Sequence, residues 1–129
     1  HNYIDSYSDG SNRIIIRKGA ISAERGQRLC VPLNMRDGIV VGRGKGNAEW
    51  NNSAPHGSGR ALSRSQARQN IMLDEYISSM SDIFTWSVSE ATIDESPMAY
   101  KPSDEIIHYL EDTVDIDFIA KTLYNFKAD

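Results

Sequence analysis

The stretch richest in reactive residue types is Asn51-Asn52-Ser53-Ala54-Pro55-His56-Gly57-Ser58-Gly59-Arg60-Ala61-Leu62-Ser63-Arg64. It sets a histidine between a proline and two glycines, with Arg60 and Arg64 following and a helix start just beyond. A neutral imidazole nitrogen is a competent nucleophile near pH 7. Gly57 and Gly59 can expose backbone donors, and a helix N-terminus favours anions. Arginines can spread over the equatorial oxygens of a phosphoryl group as charge develops. Phosphoryl transfer is the chemistry such a loop could run, and a structural histidine in a turn is the other reading. A second cationic group, Arg17-Lys18-Gly19-Ala20, follows Ile14-Ile15-Ile16. Two cations beside a glycine at a strand end could hold a phosphate, or could be a solvated strand terminus.

These residues need a scaffold, and the first half reads as short strands. Residues 12–17, 27–32 and 38–43 are candidate strands, the first preceded by the turn signal Ser8-Asp9-Gly10-Ser11. The loop Asn34-Met35-Arg36-Asp37 separates the second from the third. Residues 44–60 read as loop. Six of the nine glycines fall between Gly38 and Gly59, and glycine lets a ligand approach the main chain closely, although turns use it too. Beyond residue 60 the pattern turns helical. Ser63 or Ser65 can cap a helix whose stripe is Leu73, Tyr76, Ile77, Met80 and Phe84. A second helix is expected from Ser103, as its cap, to about Asp112, with Ile106, Ile107 and Leu110 as its buried face. The tail from Asp115 to Lys127 leans toward strand. The expectation is one α+β unit over residues 1–129, β-rich first and helical later, with no internal boundary.

Composition narrows the class. At 129 residues, 40% hydrophobic and 25% charged, the chain is an ordinary globular one with no apolar run long enough to span a bilayer. No signal-peptide pattern is present. One cysteine excludes an internal disulfide framework and suits a reducing, cytoplasmic setting. Cys30, in Leu29-Cys30-Val31, reads as a small buried hydrophobe in a strand interior. A first residue of His1 rather than Met suggests a processed or truncated chain. The net charge of −4 hides an asymmetry: residues 1–68 hold 11 Lys+Arg against 5 Asp+Glu, and residues 69–129 hold 3 against 13. A basic first half could face nucleic acid, or could pair with the acidic half.

Several motifs occur in one order: His1-Asn2, Arg17-Lys18-Gly19-Ala20, Pro32-Leu33-Asn34-Met35-Arg36-Asp37-Gly38, Gly44-Lys45-Gly46-Asn47, Ser53 to Arg60 with Ser63-Arg64, and Asp94-Glu95-Ser96-Pro97-Met98-Ala99-Tyr100-Lys101. The chain then ends in Tyr124-Asn125-Phe126-Lys127 and two further residues. In this series the chain resembles the C-terminal part of the RtcB family of RNA-splicing ligases over essentially its whole length.

The resemblance implies an enzyme that uses GTP and manganese to join RNA 3′-phosphate or 2′,3′-cyclic phosphate ends to 5′-hydroxyl ends, acting on tRNA halves or broken RNA. A histidine takes up GMP, GMP passes to the RNA 3′-phosphate, and the 5′-hydroxyl displaces it. His56 would be that nucleophile. Asn34, Gly57, Ser58, Gly59, Tyr100 and Lys127 would join it in binding the nucleotide, Lys127 by donating to guanine O6 and Tyr100 by packing on the base. Arg17, Lys18, Arg60 and Arg64 would contact phosphate or RNA, and His1 would ligate manganese. From the residues alone, Tyr100 reads as core and Lys127 as a solvated tail residue. His108 matches no motif and reads as surface or interhelix packing. Trp50 and Trp86 could stack on RNA bases, although core or rim packing is the first expectation. Departures are Ser58, where alanine is common, and Thr122, where proline is. The family's other metal ligands lie upstream, so the chain would be part of a larger RtcB-type domain and inactive alone. The alternatives are a nucleotide- or RNA-binding fragment without catalysis, or a related nucleotidyl transferase that caps ends without joining them.

Overall fold

Short runs of alternating apolar and polar residues, separated by glycine turns, become antiparallel strand pairs. The computed structural model describes residues 2–7 and 9–127. Strand β1 (Asn2–Ser6) pairs antiparallel with β2 (Ile14–Lys18), and β3 (Ala20–Ser22) with β6 (Ser53–Pro55). A three-stranded antiparallel sheet has the order β4 (Arg28–Asn34), β5 (Gly38–Gly44), β8 (Val114–Ala120). The short β7 (Phe84–Thr85) pairs in parallel with β9 (Tyr124–Asn125). Helices α1 (Arg64–Asn70), α2 (Leu73–Ser79) and α3 (Ser103–Leu110) come later, with 3-10 turns at Ala48–Trp50, Glu90–Glu95 and Pro97–Ala99. The architecture is α+β.

Two apolar clusters hold these elements. Val31, Leu33 and Val40 from β4 and β5 pack with Ala23, Ala54 and Val114 against Ile106 and Leu110 of α3. Met35, Ala67, Ile71, Tyr76, Met80, Ile93 and Ala99 form the second, beneath α1 and α2. Removing such side chains from water is the main favourable term in folding, at roughly 25 cal/mol per Å² of apolar surface.

Several local expectations are corrected. Cys30 is exposed, because β4 alternates and gives its inward positions to Val31 and Leu33. The segment between residues 44 and 60 is not all loop, since Ser53–Pro55 forms β6 against β3. The expected helix divides into α1 and α2. Ile71 takes an extended conformation (φ −94°, ψ 128°) and turns into the second cluster. Phe84, assigned to the helical stripe, lies instead on β7. Ser103 is the first helical residue of α3 rather than its cap, and its hydroxyl is used elsewhere. Trp50 and Trp86 are exposed, with Trp86 held edge-on by Phe84 at 5.4 Å. His108 lies exposed on α3, 3.9 Å from Glu111, as a surface reading expects.

Charge pairs cross between the two halves of the sequence. Arg43 meets Asp117, Lys45 meets Asp115, Arg60 meets Glu95, and Arg64 and Arg68 meet Asp94. Much of the basic first half is thus neutralised within the chain. No helix among the described residues is long and apolar enough to cross a membrane.

Candidate functional site

The His56 loop is stitched to its surroundings at successive residues. Pro55 closes β6 opposite Ala20, and the His56 N–H extends that ladder by donating to Gly19 O at 3.3 Å. The His56 ring lies over Gly19: a Cβ on that glycine would come within 3.7 Å of its Cδ2 and 3.8 Å of its Nε2. Gly19 holds φ +67°, a conformation that an L side chain rarely adopts. The Ser58 N–H then docks on Pro32 O at 3.1 Å, and Gly59 turns the chain with φ +69°. Arg60 forms a bridge with Tyr100, and the Ala61 N–H reaches Ala99 O at 2.9 Å. Three residues on, Ser63 starts α1 through a capping box with Gln66.

This loop forms one wall of a cleft of about 1070 Å³, in the range of small-molecule sites. The cleft brings together Asn34, His56, Gly57, Ser58, Gly59, Arg60, Arg64, Tyr100 and Lys127, although they are spread over most of the chain. Residues 120–125 and Lys127 line the same cleft. Of the expected site residues, Arg17 and Lys18 do not reach it. Arg17 is only 3% exposed and is committed to Asp5 at 3.1 Å and Ser53 Oγ at 2.9 Å. Inward positions alternate along β2, so the expected phosphate contact at Arg17 becomes an internal tie to β1 and β6. Lys18 faces outward on the same strand. His1 lies outside the described residues.

Asn34 lines the cleft and is tied into the 34–37 turn. Its Oδ1 accepts the N–H groups of Arg36 (3.0 Å) and Asp37 (2.9 Å), while its Nδ2 donates to Asp37 Oδ2 (2.8 Å) and Ser103 Oγ (3.3 Å). Both amide hydrogens and both lone pairs are in use. Asn34 therefore shapes the cleft wall through the 34–37 turn. Asp37 gathers that turn: burial alone would raise its carboxyl, but hydrogen bonds from Arg36, Ser103 and Asn34 prevail and hold it at about 2.

Glu95 organises the other polar side. Its Oε2 accepts from the Tyr100 hydroxyl at 2.8 Å and from Lys127 Nζ at 3.2 Å, and its Oε1 faces Arg64 at 2.9 Å and Arg60 at 3.5 Å. Burial would raise this carboxyl, yet these hydrogen bonds and charges lower it below the usual carboxylate range. Burial and donation to Glu95 push the Tyr100 phenol up. The Arg60 guanidinium also sits 5.2 Å from the Tyr100 ring centroid. Asp94, whose side chain is 2% exposed, takes Arg68 and Arg64 from α1. Tyr100, expected from the residues as core, is half-buried on the cleft, and Lys127 is packed there rather than solvated.

Sequence reasoning assigned no role to Glu95 or Asp94, although both stood in a quoted motif. Two adjacent carboxylates ahead of a tyrosine were the available signal. Ser58 is 3% exposed, and its Oγ has no hydrogen-bond partner among the described residues. The site can thus place an imidazole, a hydroxyl and backbone donors beside oriented arginines. A ligand anion must compete with Glu95 and Asp94 for those arginines. Among the described residues, no three His, Cys, Asp or Glu side chains converge to hold a metal ion.

The family model described as tRNA-splicing ligase RtcB matches residues 1–128. The chain is 34% identical over 129 residues to the RNA-splicing ligase RtcB of Escherichia coli (strain K12), covering 99% of this chain and 31% of that protein. It is 31% identical to the tRNA-splicing ligase RtcB of Aeropyrum pernix, covering 80% of this chain and 26% of that one. The chain spans roughly a third or less of the length of these curated relatives.

Proposed function

This chain belongs to the RtcB family, and on that premise we propose that it is the guanylylation portion of an RNA ligase, with His56 as the residue that takes up GMP. The observation that carries the proposal is that His56 lines a large cleft together with Ser58, Tyr100 and Lys127.

In the proposed first step an imidazole nitrogen of His56 attacks the α-phosphorus of GTP. An N–P bond forms, the bond from that phosphorus to the bridging oxygen breaks, and pyrophosphate leaves. Protein donors lower the barrier by meeting charge on the phosphoryl oxygens as it develops. The Gly57 and Gly59 amides, Ser58 Oγ and the Arg60 and Arg64 guanidinium groups are the candidates here. Tyr100 and Lys127 would hold the base. GMP then passes to the RNA 3′-phosphate, and the 5′-hydroxyl displaces it. Lys18 remains a candidate RNA contact away from the cleft. Manganese belongs to the proposal as a requirement of the complete enzyme, a charge stabiliser worth several kcal/mol. Its ligands would be His1, outside the described residues, and groups from outside this chain.

The test is labelled GTP with Mn²⁺, followed by mapping of the label. It should sit on His56, be labile to acid as an N–P bond is, and vanish in His56→Ala. The 129-residue chain run beside a longer protein that adds the N-terminal part should incorporate about a thousandfold less, as loss of about 4 kcal/mol of metal stabilisation predicts. Label on another residue would overturn the assignment of His56, and equal incorporation by both proteins would overturn the need for outside ligands.

A further inference from the structure

The ribbon of β7 and β9 borders the cleft and carries a group of rings that the proposed reaction does not use. Phe84 pairs with Tyr124 and Thr85 with Asn125, and the Phe84 N–H donates to Leu123 O at 3.2 Å. Just beyond the strands, the Ser87 hydroxyl accepts from the Lys127 N–H at 2.8 Å and donates to Lys127 O at 3.3 Å. A register held at both ends sets Trp86 beside Phe126. Paired residues put their side chains on one face, and successive residues alternate between faces. Phe84, Trp86, Tyr124 and Phe126 therefore share a face, and they are 59%, 81%, 54% and 70% exposed. Thr85, Asn125 and Lys127 are less exposed, and Ser87 is buried.

Apolar residues scattered singly over a surface are ordinary, whereas a contiguous patch marks an interaction site. This patch is aromatic, and its rings are set against one another. Trp86 meets Phe84 at 5.4 Å with the planes 80° apart, and Tyr124 lies 5.7 Å from Phe84 at 30°. The near-perpendicular contact and the high exposure leave an indole face open. Leu123 and Tyr124 also line the cleft that His56 lines, as does Lys121, an exposed cation with no ion pair among the described residues.

Two observations favour a nucleobase over a protein segment as the occupant. The patch runs into the cleft that RNA ends must reach for the proposed ligation, where a bound protein would block them. The cation at that junction suits a phosphate, for which an apolar protein segment has no counterpart. Bases stack on aromatic rings whatever the sequence, and only an unpaired base has a free face to offer. We propose, on the RNA-ligase reading of this chain, that the face formed by Phe84, Trp86, Tyr124 and Phe126 is a stacking platform for an unpaired nucleobase near the join, with Lys121 taking an adjoining phosphate.

The test is fluorescence anisotropy on the full-length protein that carries this chain, with a single-stranded RNA bearing a 3′-phosphate and a blunt RNA duplex with the same end. Trp86→Ala should weaken single-strand binding about tenfold at every salt concentration and leave duplex binding unchanged. Trp86→Phe, which keeps a ring, should recover most of that loss. Lys121→Ala should make the salt slope for the single strand shallower by about 0.7, and Trp86→Ala should leave the slope as it is. GMP labelling of His56 should be the same in all three variants. Unchanged single-strand affinity in Trp86→Ala overturns the proposal. An equal loss for both RNAs, or a lowered melting temperature in Trp86→Ala, also overturns it and makes the patch a protein interface. Single-strand binding that depends on Trp86, with no label on His56, would uphold the platform and overturn guanylylation. Label on His56 without single-strand binding would do the reverse.

Discussion

Asn34 builds the cleft wall through the turn that it closes. Its carboxamide uses every donor and acceptor on the 34–37 turn and on Ser103, so its effect on the cleft runs through Asp37. An ordinary aspartate titrates near 3.8 and Asp37 at about 2. Its folded value is depressed, so its stabilisation is complete above the ordinary value and is lost as pH falls through about 2. Discounted for partial exposure, the contribution is about 1 kcal/mol. Asp37→Asn should therefore unfold at lower urea than the wild type at about pH 6, and the gap should shrink from about pH 4 downward. A gap that stays constant down to about pH 3 would show that the charge is not the stabilising feature. The sequence displayed both residues in one motif, but the pairing of Asp37 with Ser103, 66 positions away, is a tertiary fact.

At the scale of elements, α1 links the His56 loop to the carboxylates behind it. Arg64 and Arg68 stand one turn apart on the same helical face, and both reach Asp94 in the 3-10 turn. The placement of α1 depends on where it begins. Ser63 and Ser65 were both plausible caps, and only Ser63 makes the reciprocal pair, accepting from Gln66 N at 3.3 Å while Gln66 Oε1 accepts from Ser63 N at 3.0 Å. Ser63→Ala should cost about 1 kcal/mol in urea unfolding, and Ser65→Ala a few tenths at most. A larger loss at Ser65 would mean that the helix starts two residues later than it does here. The division between α1 and α2 was not legible. Helical periodicity continues across Ile71 and Met72, and the demand that breaks it is a buried place for Ile71 in the second cluster.

Across the whole molecule, two outcomes follow from how surfaces are shared. Five cations of the first half, Arg43, Lys45, Arg60, Arg64 and Arg68, pair with acidic residues of the second among the described residues, which lowers the net field of the basic half. On the other side, β1 and β2 present one apolar face, with Ile4, Ile14 and Ile16 at 71%, 69% and 75% exposure. Ile4 and Ile16 stand directly opposite each other in the pair. A contiguous exposed apolar stripe on a sheet promotes association. The isolated 129-residue chain should therefore bind a hydrophobic dye and scatter light at high concentration. Ile14→Thr with Ile16→Thr should reduce both while changing the melting temperature little. Unchanged dye binding in that double variant would place the sticky surface elsewhere.

The sequence by itself determined the local signals: the α+β order, the turn at Asn34–Asp37, a start of α1 at Ser63 or Ser65 and the motif series that carries family membership. These depend on neighbours within a few residues or on the order of motifs along the chain, which one string displays. Only the tertiary structure decided which side chains face which way and which meet. It buried Arg17 against Asp5 and Ser53, turned Cys30 outward, and gathered Arg60, Arg64, Tyr100 and Lys127 around Glu95. The physical reason is that burial and pairing depend on contacts between residues tens of positions apart. A strand's alternation says which residues share a face, and only packing says which face is inside.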